Sequence, residues 1–221
     1  PVLNEEASIG GTLRACVSML SAGDEIAVVD GGSTDRTCEI VRELRLDAVQ
    51  LIERCKRGRG SQQARGAAET TAGILWFVHA DTLPDSGCME AIRKALADPT
   101  AAGGNFSLRF TGSSAGARFL NRSYPWLRVL RLYYGDSAIF VRRADYESAG
   151  GFRDHPIFED LDLIARLRGR FLHSDLVVTT SSRRFEGRWF PGVYLHWTLL
   201  QILYWAGVPP QVLGRWYAAI R

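Results

Sequence analysis

Ile9, Leu13, Cys16, Val17 and Leu20 recur at helical spacing, which predicts an amphipathic helix over residues 6 to 20. The apolar run Ile26 to Val29 then breaks at Asp30-Gly31-Gly32-Ser33-Thr34-Asp35, where a strand hands over to a helix carrying Val41 and Leu44 on its apolar face. The alternation repeats as a strand over 47 to 52, a helix rich in small residues over Ser61 to Ala72, and a buried strand over Ile74 to Val78. That last strand ends at His79-Ala80-Asp81. Beyond Pro84 the pattern predicts a helix near 85 to 97, a strand near 104 to 110, a helix near 114 to 132 and a strand over Ser137 to Val141. A further helix starts near Asp160 and ends by Gly169, and an aromatic tail runs from Phe190 to the breaker Pro209-Pro210. Strands alternating with helices imply right-handed βαβ units and a mostly parallel central sheet flanked by helices. In such open sheets ligands bind outside the carboxyl ends of the strands, where Asp30 and Asp81 both fall.

Composition narrows the picture without naming a function. Of 221 residues, 46% are hydrophobic and 23% charged, which suits a globular chain with a single core. The net charge of +3 is too small for a nucleic-acid binder, which would cluster Lys and Arg on one face, but it suits phosphate-bearing small ligands. Cys16, Cys38, Cys55 and Cys88 form no CxxC pair and read as free thiols of a reducing compartment. No segment resembles a signal peptide, and the apolar runs fall short of the roughly 20 residues that span a bilayer. A cytoplasmic location is therefore expected, with peripheral contact to the inner membrane face as a variant. Trp189, Trp197, Trp205 and Trp216 in the tail suit core packing or a homodimer better than a membrane surface. An interfacial helix would want basic flanks, and only Arg188, Arg215 and Arg221 are near.

Several segments carry candidate chemistry, each with a plainer alternative. Glycines in Asp30-Gly31-Gly32-Ser33 let the backbone approach a ligand while the carboxylates accept hydrogen bonds from a base or ribose; equally, Ser33 or Asp35 caps the next helix. Asp81 either caps a helix or binds a hard divalent cation on a diphosphate, and His79 either joins it or serves structure alone. The loop Lys56-Arg57-Gly58-Arg59-Gly60-Ser61 runs into a helix N-terminus, which suits an anion, although solvated basic loops are common. Glu159 and Asp160 project from a loop-helix junction, where Asp160 is placed to take a proton from an attacking hydroxyl; acids at a helix start also simply stabilise it.

Taken in order, Pro1-Val-Leu-Asn-Glu5-Glu6, Asp30-Gly-Gly-Ser-Thr-Asp35, Gly58-Arg-Gly, His79-Ala-Asp81-Thr, Gly150-Gly-Phe and Glu159-Asp160-Leu resemble the motifs of family 2 glycosyltransferases over residues 1 to 185. The resemblance implies a GT-A α/β fold over 1 to 185, a helical C-terminal extension over 186 to 221, and a first strand preceding residue 1. It implies an inverting transfer from a nucleoside diphosphate sugar, uridine-based, to a hydroxyl acceptor. Glu5, Asp30, Gly31, Ser33 and Arg59 would then serve the nucleotide, Asp81 a divalent cation (Mn²⁺ or Mg²⁺), and Asp160 the proton transfer beside Glu159. Gly135 and Asp136 would face donor sugar or acceptor, and Arg183 and Arg184 the diphosphate. Residues 112 to 134, with Arg118, Arg122 and Arg131, would cover part of the acceptor side. The chain departs from the family pattern at His79, which replaces the first acid of DxD, and in lacking a clear QxxRW. The HADT form resembles a bacterial subgroup linked to arsenosugar biosynthesis. A nucleotide-sugar-binding module without catalysis and a nucleotidyltransferase are the alternative readings.

Overall fold

A computed structural model describes residues 1–129 and 134–218; Arg131 and Arg221 lie outside the described residues, as does the end of the helix expected over 114 to 132. Helix α1 (Ile9–Val17) leads to β1 (Ile26–Val29), α2 (Thr37–Glu43) and β2 (Val49–Ile52), and β1 pairs with β2 in parallel from Ile26 opposite Val49. Ile9 and Leu13 bury the apolar face of α1 against Val28 and Val41, as their spacing predicts. Helix α3 (Arg59–Ala68) then delivers the chain to β3 (Ile74–Trp76).

A second sheet begins there. It contains β4 (Thr82–Pro84), then β5 (Ala101–Phe110) after α4 (Cys88–Leu96), then β6 (Phe140–Arg142) after α5 (Ala115–Val129), and is ordered β3-β6-β5. Helices α6 (Arg143–Ser148) and α7 (Glu159–Arg166) precede β7 (Arg170–Thr180), which inserts between β5 and β4. Cys88, Ile92, Phe106, Phe140 and Val178 form the main core against this sheet. A groove of about 510 Å³ separates β1 from β3, lined by Ile26, Ala27 and Val29 on one side and Ile74, Leu75 and Phe77 on the other.

The α/β architecture, a central sheet flanked by helices, is as expected, and the sheet carries antiparallel strands as well as parallel ones. Among the described residues β1–β2 and β5–β7 are parallel ladders, whereas β3–β6, β5–β6 and β4–β7 run antiparallel, so β6 and β4 oppose the other strands of their sheet. The crossover rule governs strand-helix-strand units, and the chain leaves that regime after β3. It turns tightly at His79–Thr82 into β4 and enters β6 from the opposite direction through a 3-10 turn at Gly135–Ser137.

Consecutive glycines stand where three strands meet. A Cβ on Gly104 would lie 2.5 Å from the Phe140 ring and 2.6 Å from the Leu172 carbonyl. Gly104→Ala is therefore expected to destabilise the chain by about 3 kcal/mol through overpacking, read as a lower denaturation midpoint in urea at unchanged slope; an unchanged midpoint would contradict this packing.

The tail forms α8 (Phe190–Trp205) and α9 (Pro210–Ala218). Leu200 and Leu213 pack on Ile157 and Phe158 just before α7, while Val193 packs with Phe185, Ala117 and Leu120. The inward faces of the tail thus belong to the core. Among the described residues no helix is long and apolar enough to cross a membrane. All four cysteines are free, and burial pushes the Cys16 and Cys88 thiols up to about 12.

Candidate active site

A cleft of about 400 Å³ opens at the strand ends between the N-terminal segment, the loop before α3 and the segment after β7. Five arginines line it: Arg57, Arg59, Arg183, Arg184 and Arg188, with Glu5 and Asp81 among them. The concentration of positive charge is tertiary, since these side chains come from two segments over a hundred positions apart in a chain whose net charge is only +3. The Arg183 guanidinium reaches Glu5 and also stands 3.6 Å from Asp81 Oδ2. Arg184 Nη1 stands 3.8 Å from Asp136 Oδ1.

The deeper wall holds a buried pair of acids. Phe158 carries a left-handed backbone (φ 63°) that turns the chain into α7, and its ring stacks on Tyr204 of α8 at 4.6 Å, which holds this sparsely populated conformation. The turn sets Glu159 and Asp160 side by side at 2% and 7% exposure. Glu159 Oε1 accepts from Arg59 Nε at 2.7 Å, and Glu159 Oε2 is buried without a partner. Arg59 can come this close because α3 starts tight against the loop before α7, where a Cβ on Gly60 would meet the Arg153 carbonyl at 2.5 Å. Burial opposes the charge of Arg59, but Glu159, with smaller help from Asp136 and Asp160, more than offsets it.

Asp160 Oδ2 accepts the Gly135 N–H, and Oδ1 accepts the Leu161 N–H at 2.8 Å. Burial first, and the Glu159 charge second, push the Asp160 carboxyl up to about 7 against the pull of Arg59. Asp136 behaves oppositely: burial works against its charge, yet Arg184 and His79 hold it well below the usual carboxylate range. His79 Nδ1 lies 2.8 Å from Asp136 Oδ1, while His79 Nε2 is buried without a partner. A Cβ on residue 135 would stand 3.2 Å from Asp160 Oδ2 and 3.4 Å from His79 Nε2, so glycine is what leaves these two groups converging on one backbone position.

Glu5, Arg59, His79, Asp81, Arg183 and Arg184 all line the cleft, and Gly135, Asp136 and Asp160 line an apolar cavity that adjoins it. Asp30, Gly31 and Ser33 line neither. The Asp30 carboxylate is 4% exposed and accepts the N–H groups of Gly32 and Ser33 at 2.9 and 3.0 Å, and Ser33 Oγ accepts the Asn4 N–H at 2.9 Å. A buried carboxylate needs donors, and its own loop supplies them. Gln62, Trp197 and Tyr217 line the cleft without having been singled out for it. Gln62 Nε2 donates to the carbonyls of Val2 and Val29, each at 2.8 Å, and so fixes the N-terminal segment on β1. Nothing in their local sequence marks these three, because each acts through a distant element.

The geometry can be set beside known proteins. Residues 1–152 match the model of glycosyl transferase family 2. A probable glycosyltransferase of Bacillus subtilis, YdaM, is 27% identical over 190 residues, covering 76% of this chain and 45% of its own length. The chain thus spans less than half of that curated relative. Among solved structures, S. aureus TarS 1–349 in complex with UDP-GlcNAc superposes with a TM-score of 0.65 at 16% identity, over 86% of this chain and 59% of its own. Glucosyl-3-phosphoglycerate synthase from Mycobacterium tuberculosis, solved with Mn²⁺, UDP and glucosyl-3-phosphoglycerate, gives 0.53 at 22% identity over 80% of this chain and 68% of its own. These neighbours share the GT-A fold, and with more than half of its residues matched by the family model, this chain belongs to glycosyl transferase family 2.

Proposed function

We propose that the chain moves a sugar from a nucleoside diphosphate sugar, uridine-based, to a hydroxyl acceptor with inversion at the anomeric carbon. The observation that carries this reading is Asp160, a buried carboxyl of raised pKa placed beside both the basic cleft and the apolar cavity. Arg59, Asp81, Arg184, Trp197 and Tyr217 line both spaces, so a donor in one and an acceptor in the other would meet next to Asp160. The UDP-GlcNAc bound to TarS and the UDP bound to the mycobacterial synthase support a uridine donor.

In this scheme the acceptor oxygen attacks the anomeric carbon while its proton passes to an Asp160 carboxylate oxygen. The bond from that carbon to the diphosphate oxygen breaks, and its electron pair leaves with the nucleoside diphosphate. Arg183, Arg184 and Arg57 offset the charge that develops on the leaving group. Glu159 holds Arg59 in place and raises Asp160, while Asp136 turns His79 and faces the sugar. Glu5 and Arg59 serve the nucleoside side, and Asp30, with Gly31 and Ser33, acts on it through the loop it braces.

The donor set fits a divalent cation shared with substrate. Asp81 is the cleft carboxylate that would hold Mn²⁺ or Mg²⁺, and His79 would need to turn its Nε2 away from Gly135 to join it. Among the described residues no cluster of three or more candidate ligands is present, so diphosphate and water would complete the shell, as Mg²⁺ sites commonly do. When bound, the cation would supply charge neutralisation at the diphosphate.

A thermal-shift panel of UDP, GDP, TDP and CDP, each with and without Mn²⁺, tests the donor. UDP at about 100 times its Kd should stabilise the chain by about 2.7 kcal/mol. Asp81→Asn should remove the Mn²⁺-dependent increment and keep the metal-free shift. A flat response to all four nucleotides would overturn the donor reading. Having His79 rather than a second acid beside Asp81 also suits a module that binds a nucleotide sugar without catalysis, which predicts the UDP shift but no UDP release from any UDP-sugar and acceptor pair.

A further inference from the structure

The acceptor side has a chemistry of its own. The cavity beside Asp160 measures about 340 Å³ and is walled by Leu108, Phe110, Tyr194, Trp197, Ile202 and Trp205. Among the described residues, the buried polar atoms without a partner on its wall are the Tyr124 hydroxyl and Gln201 Nε2: Gln201, 5% exposed, accepts the Tyr134 hydroxyl on Oε1 at 3.0 Å, while its Nε2 donates to nothing. A sugar-sized polar acceptor would leave most of this wall facing polar atoms. A hydrocarbon body would satisfy it and leave Gln201 Nε2 for a headgroup oxygen.

The outer side of the same wall is bare. Helix α8 carries no Asp, Glu, Lys or Arg in its 16 residues. Its inward face packs through Val193 and Leu200, but Leu195, Leu199, Ile202 and Trp205 are 68%, 47%, 52% and 61% exposed. Residues 195, 199 and 202 fall on one face at helical spacing, and Trp205 extends it. A contiguous apolar face of this kind marks an interaction surface. The helix is too short to cross a bilayer, so it suits lying on one. Ile202 and Trp205 belong to both the cavity wall and the exposed face, which makes the two features continuous.

We propose that the acceptor is a membrane lipid bearing a free hydroxyl, with its headgroup at Asp160 and Gln201, its hydrocarbon in the cavity, and α8 resting on the bilayer that supplies it. This rests on the transferase reading above. A second copy of the chain suits the face less well, because it would cover the rim at Ile202 and Trp205 through which an acceptor enters.

Two probes test it on the full chain. The first is binding of methyl, butyl, hexyl and octyl β-D-glucoside, each below its micelle concentration, followed by tryptophan fluorescence. Affinity should rise about fourfold for each added methylene, and Ile202→Asp should flatten that rise while Ile202→Leu keeps it. The second is quenching of tryptophan fluorescence by vesicles of brominated phosphatidylcholine with phosphatidylglycerol, expected for the native chain and lost in Ile202→Asp. Affinity independent of chain length, or absence of vesicle quenching, overturns the proposal; so does concentration-dependent dimerisation abolished by Ile202→Asp without vesicle quenching. UDP-dependent stabilisation, measured in the same samples, separates these outcomes from failure of the donor reading.

Discussion

Asp160→Asn is expected to lower sugar transfer by about a thousandfold, the upper middle of what a positioned general base contributes, while UDP still raises the melting temperature. The native rate should fall about tenfold per unit as pH drops below about 7, because burial and Glu159 hold the carboxyl protonated there and only its ionised form accepts the acceptor proton. The Asn variant should lack that limb. The same protonation also sets stability. A carboxyl raised in the folded state takes up a proton that the unfolded chain, near roughly 3.9, does not hold, so its contribution is full at low pH and lost as pH rises through about 7. The native chain should therefore gain melting temperature relative to Asp160→Asn as pH falls from 8 to 6. A variant with native-like transfer, or a native rate flat across this window, would remove Asp160 from the base role.

Glu159→Gln is expected to cost about 3 kcal/mol of stability, because removing one member of a buried ion pair leaves the other charge without compensation. Arg59 is that charge, with 20% of its side chain exposed, so solvent recovers part of the loss and the figure sits at the low end of the range. The same substitution removes the second-largest influence raising Asp160. The acidic limb of the rate profile should therefore move to lower pH, whereas it would disappear if Glu159 itself were the titrating base. Urea unfolding at pH 8 reads the first effect and the pH profile the second. Loss of stability without movement of the limb would mean that burial alone sets Asp160.

The alternation of apolar runs up to β3 was legible, because each element there carries its own period: Ile9, Leu13 and Cys16 for α1, Ile26 to Val29 for β1. β7 was not anticipated. Its pairing with β5 shifts register between Phe106 and Ser107, where Ser174 gives way to Val177, and such irregularity erases the two-residue alternation that marks a strand. β4 and α6 were missed too, being three and six residues long. The antiparallel half of the sheet could not be read because pairing direction depends on how the chain returns, which no window of neighbouring residues records.

By itself the sequence determined the α/β class, the positions of Asp81 and Asp160 at the ends of elements, and a set of ordered motifs sufficient to indicate the family. Those are properties of local spacing and of residue type. Only the tertiary structure decided what these groups touch. It brings Arg183 to Glu5 across 178 positions, His79 to Asp136, and the Gly135 N–H to Asp160, and it turns Asp30 back onto its own loop. It also assembles five arginines into one cleft and an aromatic tail into the wall of a cavity beside Asp160. The reason is physical: charge, burial and pKa depend on which atoms share a small volume, and sequence separation carries almost no information about that once the chain has folded back on itself.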